Sequence, residues 1–284
     1  MSITITMLVE NNTKSSNLQN EHGLSYLIQK EEKNILFDTG QSDKFINNAK
    51  KLGINLESVT DVLISHSHYD HGKGFRPFIN NINNKPNLYI SKYFFHEKYS
   101  LVESEYMYKG VGFDKEFLEE NNIPSNYIEE DIYYITKDVF IATNFSRTNS
   151  FETVNSKFYI KDNNYYIKDD FIDEIVLGIN TSKGLVIIVG CSHPGIINIL
   201  ETISNRTGKE IFMVLGGIHL VNSPQDRINK TIDYLKKLNI KYLGLSHCTG
   251  EKACNEINNN VNGYFRSCTG TIIQIDEMCN VKII

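Results

Sequence analysis

The chain alternates short runs of apolar residues with polar turns, a pattern that predicts strands separated by helices. A helix is predicted at Ser42–Leu52, because its apolar residues recur at helical spacing and Gly53 follows as a stop. The predicted strands of this first part of the chain are Ile3–Leu8, Leu24–Gln29, Asn34–Phe37 and Val62–Ser65. The last of these runs directly into His66, so a polar cluster begins where an apolar strand ends.

A second β-rich part begins near residue 132, and its one clear helical pattern covers Gln225–Leu238. Its predicted strands are Ile132–Ile135, Val139–Thr143, Phe158–Lys161, Ile175–Asn180, Leu185–Val189, Ile211–Leu215, Lys241–Leu245 and Thr271–Ile275. Between the two parts, residues 92–131 carry aromatic and charged residues at mixed spacing, which predicts an insertion of helices and loops.

Two β-rich halves that each carry helices favour a sheet-on-sheet sandwich with helices outside it. A Rossmann fold is disfavoured, because no glycine-rich dinucleotide loop follows an early strand. We therefore expect one domain over residues 1–284, built of halves at about 1–131, including the insertion, and 132–284. Periodicity alone leaves other α/β layer arrangements open.

Composition narrows the class of protein. The chain has 284 residues, of which 40% are hydrophobic and 22% charged, as in a globular protein with a large core. A net charge of −5 argues against nucleic-acid partners, which are held by Lys and Arg. The sequence has no apolar run of about 18–20 residues for a membrane span and no signal-peptide pattern. The expectation is a cytoplasmic enzyme without membrane contact.

One cluster carries the chemistry: His66-Ser67-His68-Tyr69-Asp70-His71. Alternate residues of an extended segment face one way, so His66 and His68 can reach one cation. Asp70 and His71 follow after the chain turns and can serve a second cation. Imidazole and carboxylate are ligands for zinc, iron or manganese. The alternatives to such a reactive site are a solvated polar loop and a purely structural metal site. However, structural zinc sites usually contain cysteine, which this cluster lacks.

This motif resembles the metal-binding motif of the metallo-β-lactamase superfamily, and further stretches extend the resemblance along the chain. They are Glu21-His22-Gly23-Leu24-Ser25, Phe37-Asp38-Thr39-Gly40, Gly190-Cys191-Ser192-His193-Pro194-Gly195, Gly216-Gly217-Ile218-His219-Leu220 and His247-Cys248-Thr249-Gly250. The series is similar to one branch, which includes an archaeal synthase of the methanopterin pathway. The resemblance implies an αββα four-layer sandwich with a dinuclear metal site at one edge of the two sheets.

The resemblance also implies which residues hold two divalent metal ions. His66, His68 and His193 would bind the first ion, and Asp70, His71 and His247 the second. Zinc is expected, while manganese and iron stay open. His193 and His247 each follow an apolar strand, as ligands at a sheet edge would.

For several other residues, the sequence leaves both a functional and a structural role open. Where many superfamily members carry a bridging Asp, this chain has Cys191, which either bridges as a thiolate or packs as a small buried residue. Cys248 is expected to pack. Asp38 either orients the ligand loop through a hydrogen bond or forms a turn. His219 contacts substrate, donates a proton, or is structural. Arg147 either holds a phosphate or carboxylate in two-point fashion or is solvated.

The first hypothesis is a metal-dependent hydrolase of a small, anionic, phosphorylated substrate: a phosphoester, ester or lactone. Paired cations would lower the pKa of bound water toward about 7, Asp70 would hold the attacking group, and the aromatic insertion would shape the pocket. His22 and His96 are expected to be structural, with the rim of that pocket as the alternative place for His96. The alternatives are a transferase joining a dihydropterin pyrophosphate to an arylamine, and a metal-bearing sensor without turnover. The sequence does not fix an oligomeric state.

Overall fold

The computed structural model describes residues 2–284, and the chain divides into two compact units. The first unit comprises the chain up to residue 129 together with 156–169 and 268–284. The second comprises 130–155 and 170–267. The sequence-based boundary at 131 lies close to the first crossing between units. However, two later segments return to the first unit, because their strands pair with strands of the N-terminal part.

The elements are numbered in chain order. The strands are β1 (Ile3–Val9), β2 (Ser25–Lys30), β3 (Lys33–Phe37), β4 (Asp61–Leu63), β5 (Asn87–Ser91), β6 (Glu97–Val102), β7 (Glu105–Tyr108), β8 (Ser125–Ile128), β9 (Ile132–Tyr134), β10 (Val139–Ala142), β11 (Phe158–Asp162), β12 (Tyr165–Lys168), β13 (Val176–Thr181), β14 (Gly184–Val189), β15 (Ile211–Gly216), β16 (Tyr242–Leu245), β17 (Tyr264–Arg266), β18 (Ile272–Ile275) and β19 (Val281–Ile283). The helices are α1 (Lys44–Lys51), α2 (Tyr69–Gly72), α3 (Phe75–Asn80), α4 (Lys115–Glu120), α5 (Ile196–Thr207), α6 (Gln225–Leu238) and α7 (Glu251–Asn260). The predicted strands and both predicted helices are confirmed with end shifts of a few residues.

Within the described part of the first unit, a sheet of eight strands has the order β19-β18-β1-β2-β3-β4-β5-β8. Strands β3, β4, β5 and β8 run parallel, so their carboxyl ends lie at one edge of the sheet. The chain leaves β4 at this edge and enters the His66–His71 cluster. The apolar face of α1 packs through Phe45 and Ala49 into the core beside the sheet, and both side chains are fully buried.

The insertion contains more strand than predicted. Residues 92–131 hold β6, β7, α4 and β8, whereas the spacing predicted helices and loops. Strands β6 and β7 join β11 and β12 in a sheet of order β12-β11-β6-β7 within the described residues. One face of this sheet carries a cluster of tyrosines that stack on each other, including Tyr106 on Tyr166 at 3.7 Å between ring centroids. Aromatic residues on the exposed face removed the apolar–polar alternation that marks a strand.

The second unit is built on a seven-stranded sheet, counted over its described residues, with the order β17-β16-β15-β14-β13-β10-β9. Strands β14, β15, β16 and β17 are parallel neighbours. Apolar residues of α5 and α6, such as Leu200 and Ile232, complete the core against it. The loops that leave β14, β15 and β16 carry His193, His219 and His247. Over residues 2–284, no helix has the length and apolar character that a bilayer crossing requires.

Candidate metal centre

The cluster predicted to bind metal begins after β4 and continues into α2. His66 and His71 are fully buried, and His68 and Asp70 are 5% and 6% exposed. His68 is the last extended residue before α2, and Asp70 and His71 lie in the first turn of that helix. The local fold therefore has the extended-then-turned form that the spacing predicted. Its four donor side chains are concentrated on one short, buried segment.

Asp38 fixes this segment from the end of β3. Its Oδ1 accepts a hydrogen bond from the backbone N–H of Ser65 at 2.7 Å, and its Oδ2 accepts one from the Ser65 hydroxyl at 2.8 Å. The same Oδ2 lies 2.6 Å from Nδ1 of His71. Asp38 has a backbone φ of +57°, a left-handed conformation that few residues other than Gly adopt. Asp38 therefore hydrogen-bonds the cluster and also lies in the turn, and its role in orienting metal ligands stays a prediction.

The imidazoles of the cluster lie against each other. Nε2 of His66 is 3.1 Å from Nδ1 of His68, and the rings of His66 and His71 have centroids 4.3 Å apart. Burial, followed by the neighbouring imidazoles of His71 and His68, holds the pKa of His66 well below its usual range. Since a neutral imidazole is the metal-binding form, the environment favours coordination.

Asp70 has a neighbour that sequence reasoning missed. Nε2 of His22 lies 3.1 Å from Oδ2 of Asp70, although His22 was expected to be structural. The loop of His22 is held close by the backbone of Leu24, whose N–H donates to the carbonyl of Asp70 at 3.1 Å. A Cβ on Gly23 would come within 2.9 Å of that carbonyl, so this approach requires glycine. The signal was the Glu21-His22-Gly23 stretch itself, which had no assigned role.

In the second unit, His193 is held by two residues that sequence reasoning missed. The carboxylate of Glu174 accepts hydrogen bonds from the backbone N–H groups of Ser192 and His193, at 2.5 Å and 2.8 Å. The ring of Phe171 stacks on the His193 imidazole, with centroids 3.8 Å apart and planes 18° from parallel. Phe171 is buried and has a φ of +51°, which is unusual for a large side chain. Together they fix the backbone and the ring plane of His193.

Three further residues with side-chain atoms that can bind metal lie at the carboxyl ends of β14, β15 and β16. One ligand atom each from Cys191, His219 and Cys248 lies within 4.8 Å of the other two. Burial raises the pKa of the Cys248 thiol, but hydrogen bonds with Cys191 and His219 and the charges of His247 and His219 outweigh it. The net effect is a pKa well below the usual range. Cys248 is thus buried, as a packing residue would be, and also contacts polar groups.

Arg147 lies in the second unit, beside a cavity of about 320 Å³ that is lined in part by Phe171, Glu174 and Pro194. Its Nη2 donates a hydrogen bond to the backbone carbonyl of Asp170 at 2.6 Å. The Phe171 ring both lines this cavity and stacks on His193. Arg147 therefore faces a cavity that reaches the predicted ligand loop of its own unit.

A larger cavity, of about 490 Å³, lies in the first unit within the predicted insertion. Aromatic residues line it, and so does Ser67 from the metal-binding motif. His96, which was expected to be structural, lines this cavity. Its charged lining residues are Glu97, Asp114, Lys115 and Glu116, so acidic side chains predominate, whereas an anionic ligand would favour basic ones.

Comparison with known proteins identifies the family. The model of the metallo-β-lactamase superfamily matches residues 19–175, a span that contains the whole His66–His71 cluster. The chain belongs to the metallo-β-lactamase superfamily. The expected αββα sandwich is confirmed at the level of fold class by this match and by the solved structures that resemble the chain.

Within this superfamily, one relative is the 7,8-dihydropterin-6-methyl-4-(β-D-ribofuranosyl)-aminobenzene-5'-phosphate synthase of Methanocaldococcus jannaschii. It is 32% identical over 246 residues, covering 83% of each chain. An uncharacterized protein of the same organism, MJ0448, is 33% identical over 95% of this chain and 100% of its own length. The crystal structure of Tm1679, a metal-dependent hydrolase of the β-lactamase superfamily, has a TM-score of 0.83 and 32% identity. That match covers 95% of this chain and 98% of Tm1679.

The superfamily fold implies metal ions, and the residues of this chain fit them. The donor set is rich in buried imidazoles with a carboxylate at Asp70. The Asp38–His71 hydrogen bond is the contact that, in metal sites, leaves the other ring nitrogen available to a cation. Both features match the requirements of a zinc, manganese or iron site.

Proposed function

We propose that this protein is a metal-dependent hydrolase of a small anionic substrate, a phosphoester, ester or lactone. The observation that carries the proposal is the buried His66–His71 segment with Asp38 behind it. Burying so many polar side chains destabilises a fold unless they have partners. Such an arrangement is typical of a site in which hydrogen bonds orient metal ligands for catalysis. The likeness to Tm1679, which is described as a metal-dependent hydrolase, supports this reaction class.

We assign the ligands by their position in the superfamily motifs. His66, His68 and His193 hold one divalent cation, and Asp70, His71 and His247 hold the other, with zinc expected in both places. When bound, such a pair supplies a water of lowered pKa and stabilises negative charge on the substrate. Beside it, the carboxylate of Asp70 orients the attacking group, and His22 holds that carboxylate from 3.1 Å away. His71 is in turn held by Asp38.

Arg147 binds the anionic group of the substrate. Its guanidinium interacts with the negative charges of Glu174 and Asp170. However, both Glu174 oxygens already accept hydrogen bonds from backbone N–H groups. The planar fork of Arg147 can therefore bind a phosphate bidentately at the 320 Å³ cavity. The protein acts on small molecules in the cytoplasm and binds neither nucleic acid nor membrane.

A transferase is the second candidate, and one observation favours it: the 32% identical relative is a synthase of a dihydropterin–aminobenzene product. Under this alternative the cations would bind pyrophosphate as the leaving group. The third candidate, a sensor without turnover, is disfavoured, because a binder has no need of the complete ligand set.

The test is to incubate the metal-loaded protein separately with simple phosphodiesters, esters and lactones, and with a dihydropterin pyrophosphate plus an arylamine. Cleavage in the first set, lost in His68→Ala, supports hydrolysis. Condensation in the second set without cleavage in the first overturns hydrolysis in favour of the transferase. Metal binding without either reaction favours the sensor.

A further inference from the structure

Two thiols and an imidazole of the second unit lie together for a topological reason. Cys191 follows β14, His219 follows β15 and Cys248 follows β16. These strands are parallel and adjacent, so their carboxyl ends meet at one edge of the sheet. That edge is where ligands bind in open α/β sheets. The three ligand atoms, two Sγ and one ring nitrogen, all lie within 4.8 Å of one another.

The loops that carry these groups contact each other through a backbone hydrogen bond and through the Cys248 thiol. The N–H of Gly217 donates to the carbonyl of Gly190 at 3.0 Å, and Sγ of Cys248 lies 3.5 Å from the carbonyl of Cys191. A Cβ on Gly217 would come within 2.5 Å of that Sγ, so glycine here makes room for the thiol. Both cysteines are nearly inaccessible, at 3% and 5% exposure. The two thiols are therefore held in place before any ligand binds.

We propose that Cys191, Cys248 and His219 form a binding site for a thiophilic divalent cation, zinc above all. Around zinc, sulfur at about 2.3 Å and nitrogen at about 2.0 Å place the donor atoms roughly 3.5–4 Å apart. The donors, now within 4.8 Å, reach that spacing by moving about 1 Å or less. On binding, both thiols release their protons to solvent, and the two thiolates neutralise the charge of the cation.

In this site, three residues have roles that differ from those predicted from sequence. His219 becomes a ligand rather than a proton donor, Cys248 a ligand rather than a packing residue, and Cys191 a terminal ligand rather than a bridge. The donor set also selects the metal, because manganese and magnesium prefer oxygen ligands whereas thiolates select zinc. The site uses residues of the second unit alone, so it stands even if the proposed hydrolase activity fails.

The experiment uses the purified full-length chain, stripped with a chelator and titrated with cobalt(II). Thiolate–cobalt bonds give a charge-transfer band in the near ultraviolet whose intensity follows the number of thiolates. We expect the band in the wild type, about half its intensity in Cys191→Ser and in Cys248→Ser, and none in the double variant. Cys254→Ser is the matched control, since Cys254 is another buried cysteine of this unit, and it should keep the full band.

His68→Ala separates this inference from the proposed function. The thiolate band should persist in that variant, even though the predicted first cation loses a ligand there. Cobalt binding by the wild type without the band, or an undiminished band in the double cysteine variant, would overturn the site. If a cysteine variant does not fold, X-ray absorption of the zinc-loaded wild type decides. Sulfur neighbours at about 2.3 Å support the site, and their absence refutes it.

Discussion

Asp38 and His71 are joined by a contact of 2.6 Å between Oδ2 and Nδ1, and neither side chain is exposed to solvent. A buried carboxylate this close to an imidazole accepts a hydrogen bond from the ring N–H and so sets the tautomer. Nδ1 of His71 then carries the hydrogen, and Nε2 carries the lone pair that a cation needs. The orientation of one ligand in the predicted second metal site therefore depends on a residue 33 positions earlier in the chain.

Replacing Asp38 with Asn tests this dependence. In Asp38→Asn, the side-chain NH₂ group faces either His71 or Ser65. Facing His71, it donates to Nδ1 and favours the tautomer with the hydrogen on Nε2. Facing Ser65, it cannot accept the hydrogen bond from the Ser65 backbone N–H. We expect the affinity for the second cation to fall by about 10–100-fold, the usual effect of losing such a supporting contact. Competition with a metallochromic chelator measures it. Asp43→Asn is the control, because Asp43 is exposed and its side chain makes no cap hydrogen bond. Equal metal affinity in Asp38→Asn and wild type would contradict the assignment.

His68→Ala tests the ligand cluster directly. The wild type purified without added metal should carry about two transition-metal ions per chain, as a two-metal site requires. The variant should carry fewer and remain folded, because the main cores of both units lie elsewhere. Elemental analysis and circular dichroism together give the result. His96→Ala serves as the control, since His96 lines the insertion cavity. Unchanged metal content in His68→Ala would remove His68 from the site.

The sequence predicted those parts of the fold in which local pattern and tertiary environment agree. Helix α6 has the predicted bounds Gln225–Leu238, because its apolar residues keep helical spacing against a core. The His66–His71 cluster could be found because its candidate metal ligands lie within six consecutive residues. Strand β7 could not, because all four of its residues are exposed and leave no alternation.

The supports of the candidate site were harder to find than its ligands. Glu174 contacts residues 18 and 19 positions later, and it does so through backbone N–H groups that carry no sequence signal. Phe171 stacks on His193 from a left-handed backbone conformation that no residue pattern indicated. Such contacts depend on the path of the loops, which spacing alone does not determine.

Glu152 makes the stability of the second unit depend on pH. Its oxygens accept hydrogen bonds from the backbone N–H groups of Ile197 and Asn198, at 2.9 Å and 2.8 Å, at the start of α5. Burial nevertheless raises the pKa of Glu152 above 4.5, against the lowering effect of its hydrogen bonds. The folded state thus binds this proton more tightly than the unfolded state. Stability from this group is full below pH 4.5 and is lost as pH rises through the raised pKa.

In Glu152→Gln this titration is removed. Urea unfolding at a series of pH values, from about the ordinary carboxyl pKa to neutrality, should show the wild type losing stability relative to the variant as pH rises. Glu210→Gln, an exposed carboxylate in the same unit, controls for general charge effects. If the wild-type and Glu152→Gln stabilities keep a constant difference across the series, the folded pKa of Glu152 is not raised.

Arg147 provides the last test, because the cavity beside it should bind the anionic group of the substrate. Phe171 connects this 320 Å³ cavity to His193 by stacking on the imidazole. Removing the guanidinium in Arg147→Ala deletes a bidentate, charge-assisted contact, so the affinity for a phosphate-bearing ligand should fall about tenfold or more. Isothermal titration of the metal-loaded protein with nucleoside monophosphates and pterin phosphates measures the change.

Two comparison variants make that titration specific. Lys252→Ala removes an exposed cation of the same unit and should leave every affinity unchanged. Arg147→Lys keeps the charge but loses the planar fork, so its affinity should lie between those of Arg147→Ala and the wild type. If Arg147→Ala binds the whole panel as tightly as the wild type, the carbonyl of Asp170 is the only functional partner of this guanidinium. The anionic group of the substrate must then be bound by other residues.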